Sequence, residues 1–306
     1  MKSRFYEVRK FLNEIVLGKE KQIDLCLCCI LAKGHLLIED LPGMGKTLLA
    51  HALAKALGLG FSRIQFTSDL LPADITGVSV FESSDSSFRF HKGPIFSSVV
   101  LADEINRASP KAQSALLEAM EERQVSIDGE TYVLPEPFFV LATQNPLEQS
   151  GTFPLPESQL DRFYMRISLG YPDRESERLL MEKEDRRDYL SKLEPIISKD
   201  ELILWQAEVH TVKTTPALLD YVQDLVELSR SSPEFINGAS PRASLDLLKG
   251  GRAWAMLAGR DYVLPEDIQD VLPAIIGHRL TLAMEQEGET NIGSNPAHRL
   301  LELTPV

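Results

Sequence analysis

No apolar run in these 306 residues reaches the roughly 20 needed to span a bilayer. The opening MKSRFYEVRK carries charge where a secretion signal carries an apolar block, so the expectation is a cytoplasmic chain with no membrane span. Cysteine is scarce. Cys26, Cys28 and Cys29 all fall in DLCLCCIL, a spacing that fits no common zinc pattern. With no partner elsewhere they give no secreted disulfide scaffold, and they read as buried helix residues. The six histidines show no H-E-x-x-H or similar ligand spacing. Excess positive charge is missing too. A net charge of −13 removes unspecific attraction to nucleic acid or anionic membrane as the main activity. What is present, 43% apolar and 25% charged residues, is the composition of a globular chain long enough for two domains or one large one.

Periodicity gives the elements. Phe5, Val8, Leu12, Ile15 and Val16 recur at helical spacing, and a second helix is expected over about 20–33. HLLIE is a short apolar strand, followed by a glycine loop and the helix LLAHALAKAL, which ends at Gly58. FSRIQF alternates like a strand. SVVLADE and FFVLAT are apolar runs of buried parallel strands, and MRISL is a further strand. Ser109-Pro110 starts the helix SPKAQSALLEAMEER. Strands alternating with helices predict a parallel α/β sheet.

Two hairpins interrupt that alternation: VSVF with FRFHK around ESSDSS, and VSI with ETYVL around Asp128-Gly129. Phe81, Phe88 and Phe90 are read as cover for the sheet, with a tip at 82–87 as the competing, substrate-contacting reading. After Tyr171-Pro172 the pattern is helical. DRESERLLMEKEDRRDYL is amphipathic, Ser198 with Glu201 forms a capping box, and Thr215-Pro216 and Ser240-Pro241 start two more helices. No strand pattern competes there. The division expected is 1–185 for the α/β core and 186–306 for a smaller all-α domain.

The chemistry sits in IEDLPGMGKT, residues 38–47. Its second half matches the G-x-x-x-x-G-K-[ST] phosphate loop, although Asp40 stands where the first glycine belongs. Gly43 and Gly45 let backbone N–H groups turn toward phosphate, Lys46 supplies a point charge and Thr47 can hold Mg²⁺. The contacting stretch is Asp40, Leu41, Pro42, Gly43, Met44, Gly45, Lys46, Thr47 and Leu48. Asp103-Glu104 closes an apolar strand, where one carboxylate can reach Mg²⁺ and the other can orient a water.

Together IEDLPGMGKT, LADEINRASPKAQSALLEAMEE, ATQNP, GTFPLPESQLDRF and GASPRASLDLL resemble, in order and spacing, the MoxR family of AAA+ ATPases. The resemblance spans most of the chain. It implies a P-loop NTPase core followed by a helical lid, with ATP and Mg²⁺ as ligands. Lys46 and Thr47 would lie in Walker A, with Asp103 and Glu104 as the Walker B metal-holding and water-activating carboxylates. Asn145 matches sensor one and Arg242 sensor two, which couples the helical lid to nucleotide. Arg162 matches the arginine finger that reaches a neighbour's site, with Arg166 and Arg107 as open alternatives. The hairpins resemble the helix-two and pre-sensor-one inserts of this branch. The family further implies a homo-oligomeric ring, a hexamer, doing chaperone-like work on a protein client, with von Willebrand factor A-domain proteins as frequent partners. An ATPase subunit of a metal chelatase shares nearly every motif and differs in its client. A nucleic-acid translocase is a further alternative, against which the net charge counts.

Overall fold

The computed structural model describes residues 2–84, 86–146, 151–182, 190, 193–283 and 295–304. Five strands, Leu36–Glu39 (β1), Phe61–Gln65 (β2), Val99–Asp103 (β5), Phe139–Gln144 (β8) and Met165–Ile167 (β9), form a parallel sheet in the order β2-β5-β8-β1-β9. Leu36, Ile38, Val99, Leu101, Phe139 and Leu141 pack into the core on one face. Leu37, Val100, Ala102, Val140 and Ala142 pack into a second core on the other. This period-two split, covered on both sides, is why the central strands read as unbroken apolar runs.

On the first face lie helices Lys2–Ile15 (α1), Glu20–Leu31 (α2) and Lys46–Ala56 (α3). Phe5, Val8, Leu12 and Ile15 are buried, as their spacing predicts. All three cysteines are buried in α2, and burial pushes their thiols well above the ordinary range. They are therefore packing residues with no reactive thiolate. The second face carries Pro72–Thr76 (α4) and Pro110–Glu122 (α5). Helix α5 begins at Pro110 as expected, but the Ser109 side chain makes no capping bond.

Both hairpins form: Gly77–Glu82 (β3) with Ser87–Lys92 (β4), and Gln124–Ile127 (β6) with Glu130–Val133 (β7). Asp128 and Gly129 take φ of 53° and 84°, the two positive values that a tight two-residue turn needs. The hairpins touch, with the rings of Phe90 and Tyr132 4.1 Å apart. Phe81 and Phe88 do not cover the sheet. They are 52% and 73% exposed and meet edge to face, ring centroids 5.3 Å apart, because the β3–β4 pair stands off as its own two-stranded sheet.

Beyond the helices Glu157–Leu160 (α6) and Arg174–Glu182 (α7) the chain is helical: Lys199–Glu208 (α8), Pro216–Ser231 (α9), Pro241–Leu257 (α10), Pro265–Ile276 (α11) and Pro296–Leu303 (α12). Ser198 and Glu201 complete the expected capping box, and Thr215 and Ser240 cap α9 and α10. A short strand pair also forms in this helical region. Phe235–Asn237 (β10) and Thr281–Leu282 (β11) form an antiparallel pair, too short and too irregular in register to leave a pattern in the sequence. The continuation of α7 over 183–189, the expected boundary at 185/186 and the acidic EQEGET at 285–290 lie outside the described residues.

Helix α10 packs on α2 and α11 on the edge strand β9, so this edge is covered. A Cβ on Gly250 would stand 2.5 Å from Ile275 Cδ1. Glycine there lets α10 and α11 lie close, and their buried residues join those of α1–α3 in one core.

Two histidines are buried at the amino end of the sheet. His35 accepts the Val140 N–H at Nδ1 (3.0 Å) and donates from Nε2 to the Met120 carbonyl (3.2 Å), which fixes a neutral ring. Burial lowers its pKa to about 4, and that of His278 to about 3. Both folded values lie below the unfolded one, so between about pH 6.5 and 4 the unfolded chain binds more protons. Stability should therefore fall with pH through that window, each histidine contributing up to about 1.4 kcal/mol per pH unit. Urea midpoints from pH 7 to 4.5 would measure this, and His35→Gln should flatten the slope.

Candidate active site at the carboxyl ends of the sheet

Parallel strands bring their carboxyl ends to one edge, and at that edge the sequence motifs meet. The loop 40–45 leaves β1 and runs into α3. Gly43 and Gly45 have φ of 86° and 84°, and a Cβ at either would meet nothing within 4 Å. The glycines are thus required by backbone conformation, and open space lies where a phosphate would sit. Leu41 and Met44 to Leu48 are half-buried, while Pro42 and Gly43 are exposed. Lys46 donates from Nζ to the Asp40 carbonyl at 2.6 Å. Burial pushes its pKa down, against the pull of Asp40, Asp103 and Glu104. Its ammonium is held beside carboxylates and within reach of an incoming anion.

Asp103 and Glu104 follow β5. Asp103 is buried; its Oδ1 accepts the Thr143 hydroxyl (2.7 Å), and its Oδ2 pairs with Arg63 (2.6 Å). Glu104 takes a left-handed backbone, φ 57°, and its N–H bonds to Thr143 Oγ1 at 2.9 Å. Its Oε2 accepts from Gln65 Nε2 (2.8 Å) and pairs with Arg107 (3.1 Å). Asn145 is the first residue beyond β8, half-buried, next to the strand end from which the Gln144 carbonyl accepts the Asp40 N–H (3.1 Å).

Among the described residues, no group of three His, Cys, Asp or Glu could hold a metal on its own. Mg²⁺, which keeps waters and takes one or two protein oxygens beside phosphate, does not need such a group. The Thr47 hydroxyl and the Asp103 carboxylate suit it.

Arg162 and Arg242 are elsewhere. Both line a cavity of about 210 Å³ with Lys33, His35, Arg123 and Lys249. Residues 33–35 precede β1 and residue 164 precedes β9, so this cavity opens at the amino ends of the strands, opposite the loop. Arg162 pairs with Glu121 at 3.2 Å. Arg242 is exposed at the start of α10 and is not brought to Lys46 of its own chain. The alternatives to Arg162 are engaged locally. Arg166 pairs with Glu39 (3.1 Å) and donates to the Gly277 carbonyl (3.2 Å), and Arg107 lies against Glu104.

Sequence reasoning missed Thr143, Arg63 and Gln65. Alternation in FSRIQF places the last two on one face, but nothing local reveals that β2 pairs with β5 so that Gln65 lies opposite Asp103.

The model of the ATPase family associated with various cellular activities (AAA) matches residues 35–165, and that of the AAA lid domain matches 227–297. The uncharacterized protein YeaC of Bacillus subtilis is 47% identical over 91% of this chain and 87% of its own. Chaperone MoxR1 of Mycobacterium tuberculosis is 42% identical over 90% of this chain and 74% of its own. A crystal structure from Cytophaga hutchinsonii, described as that of a candidate ATPase, superposes with a TM-score of 0.88 at 40% identity, covering 98% of this chain and 92% of that one.

Thr143 is fully buried and joins both carboxylate-bearing residues. Thr143→Val would leave the Asp103 oxygen and the Glu104 N–H short of a partner, at a cost of about 1–3 kcal/mol in urea unfolding. Thr143→Ser keeps the hydroxyl and should cost less than about 1 kcal/mol on the same measure.

Proposed function

Because the chain belongs to the MoxR family of AAA+ ATPases, we propose that it binds ATP with Mg²⁺ on the loop Leu41–Thr47, with Asp40 at its base bonded to 168–170 and not to nucleotide, and hydrolyses it. The subunits would form a homo-oligomeric ring, a hexamer, each completing its neighbour's site. The observation that carries this reading is the meeting of an open glycine loop, Lys46 and the Asp103-Glu104 pair at one sheet edge, with Arg162 and Arg242 at the other.

The roles follow from charge and position. Loop N–H groups and the Lys46 ammonium bind the phosphates; Thr47 and Asp103 hold Mg²⁺, which when bound neutralises phosphate charge. Glu104 orients the attacking water and accepts its proton, while Gln65 and Arg107, both on Oε2, fix the direction of its carboxylate. Asn145, one residue past β8, helps place the same water. Arg162 and Arg242 stabilise charge developing on the neighbouring subunit's γ-phosphate, a contribution worth about 10³–10⁵ in rate for such a finger. Under this reading Arg242 serves the adjacent site, since it lies away from the loop of its own chain. The nucleotide-binding unit is 1–185 and the helical domain 186–306.

A relative named as a chaperone supports chaperone-like work on a protein client, with a von Willebrand factor A-domain protein as one candidate. Among the described residues no helix is long and apolar enough to cross a membrane. A cytoplasmic location belongs to the same proposal.

Lys46→Ala should lose tight ATP binding, measured with a fluorescent analogue; retained micromolar affinity would sink the loop assignment. Glu104→Gln should bind ATP and turn it over about 10²–10⁴ times more slowly. Arg162→Ala and Arg242→Ala should each be inactive alone. Either one mixed with Lys46→Ala should regain part of the ATPase, because some interfaces then pair an intact loop with intact arginines. No recovery in either mixture would reject the shared site.

A further inference from the structure

Asp40, the residue that departs from the usual loop pattern, is bonded in four directions. Its N–H goes to the Gln144 carbonyl at the end of β8 (3.1 Å), and its own carbonyl accepts Lys46 Nζ (2.6 Å). The residue is 7% exposed, and its carboxylate reaches 168–170. Oδ1 accepts the Leu41 N–H at 2.9 Å. Oδ2 accepts the consecutive N–H groups of Leu169 and Gly170, both at 2.7 Å, and the Ser168 hydroxyl at 3.2 Å. A buried carboxylate that collects several N–H and O–H donors is a strong, directional anchor.

The segment it grips leads out of the α/β core. Residues 168–170 follow β9, and the next carbonyl, that of Tyr171, accepts Nζ of the buried Lys19 at 2.8 Å. Two residues on, Asp173 Oδ1 accepts the Ser176 N–H at 2.8 Å and sets the first turn of α7. Hydrogen bonds thus run from the Lys46 ammonium, through both the backbone and the side chain of Asp40, to Leu169 and Gly170, from which three residues of main chain lead to Asp173 at the start of α7. Glycine at position 40 would have no side chain with which to make it.

We propose that Asp40 is a positioning residue that couples occupancy of the phosphate loop to the connector 168–173. In the structure Lys46 spends a donor on the Asp40 carbonyl. When that ammonium turns to phosphate, the peptide of Asp40 loses a partner and can tilt, and the carboxylate carries the tilt to Leu169, Gly170 and α7. The inference rests on the phosphate-loop reading above and goes beyond it by giving the connector a signal.

Hydrogen–deuterium exchange of the full chain with and without ADP tests this, with ADP affinity measured in parallel by fluorescence. In the unsubstituted protein ADP should change exchange across 168–182 by about threefold or more. Asp40→Ala should still bind ADP, within about tenfold of normal, yet lose that response, and its kcat should fall more than its KM changes. Asp40→Asn keeps one oxygen for the Leu169 and Gly170 amides and should retain about half of the response. A full connector response in Asp40→Ala overturns the proposal. So does parallel loss of ADP binding and response, which would make Asp40 a loop scaffold only, and so does ADP binding to the unsubstituted protein with no change at 168–182. Should Asp40→Ala fail to fold, an undiminished response in Asp40→Asn is the overturning result and a reduced one the supporting result. Failure of the loop reading shows separately, as absent ADP binding in the unsubstituted protein or normal binding in Lys46→Ala.

Discussion

The parallel register of β1 between β8 and β9 is the constraint on which the rest depends. Leu36 sits opposite Leu141 on one side and Met165 on the other, so β1 and β8 end level at Glu39 and Gln144, and β9 ends one residue short of them at Ile167. Everything that follows a strand, the loop after β1, Asn145 after β8 and residues 168–170 after β9, is delivered to one edge. Through β5, which pairs with β8, Asp103 and Glu104 arrive there too. A slip of one residue would turn each strand's buried set to the opposite face, and the two separate cores hold against it. Geometry at the site is therefore inherited from burial in the sheet.

Charge at that edge is arranged as engaged pairs. Asp103 faces Arg63, Glu104 faces Arg107 and Gln65, and Lys46 faces a carbonyl while burial and nearby carboxylates pull its proton affinity in opposite directions. Each of these groups has a partner within the chain that an incoming phosphate, metal or water can replace, so arrival exchanges bonds where an unpaired charge would have had to be desolvated alone. Thr143, bonded to both the Asp103 carboxylate and the Glu104 N–H, holds the two acidic residues in fixed relation.

Much of this was legible because the signals are local. Helical spacing placed Phe5, Val8, Leu12 and Ile15 in the core, Asp128-Gly129 marked its hairpin, and the loop with the Asp103-Glu104 pair located the edge. What stayed hidden depends on pairing between distant segments. No property of FSRIQF says that Gln65 faces the strand bearing Asp103, and three residues at Phe235 carry no alternation. Nor could the motif around Arg242 say which end of the sheet α10 would reach. That is decided by the packing of α10 on α2 and by the bond from the Tyr164 hydroxyl to the Asp246 carbonyl (2.7 Å). Asp40 looked like a lost glycine, and its partners 128 to 130 residues away turn it into an anchor.

The loop and the two arginines occupy opposite ends of one sheet, and that separation has an arithmetical consequence under the proposed mechanism. A lone subunit owns two unmatched halves and no whole site. An open row of subunits has one complete site fewer than it has members, and only closure supplies the last, because head-to-tail contacts either close on themselves or continue without end. Specific activity would then depend on concentration, and total activity would rise faster than in simple proportion to it at low abundance. Dilution by itself would act as an off switch, with no inhibitor required.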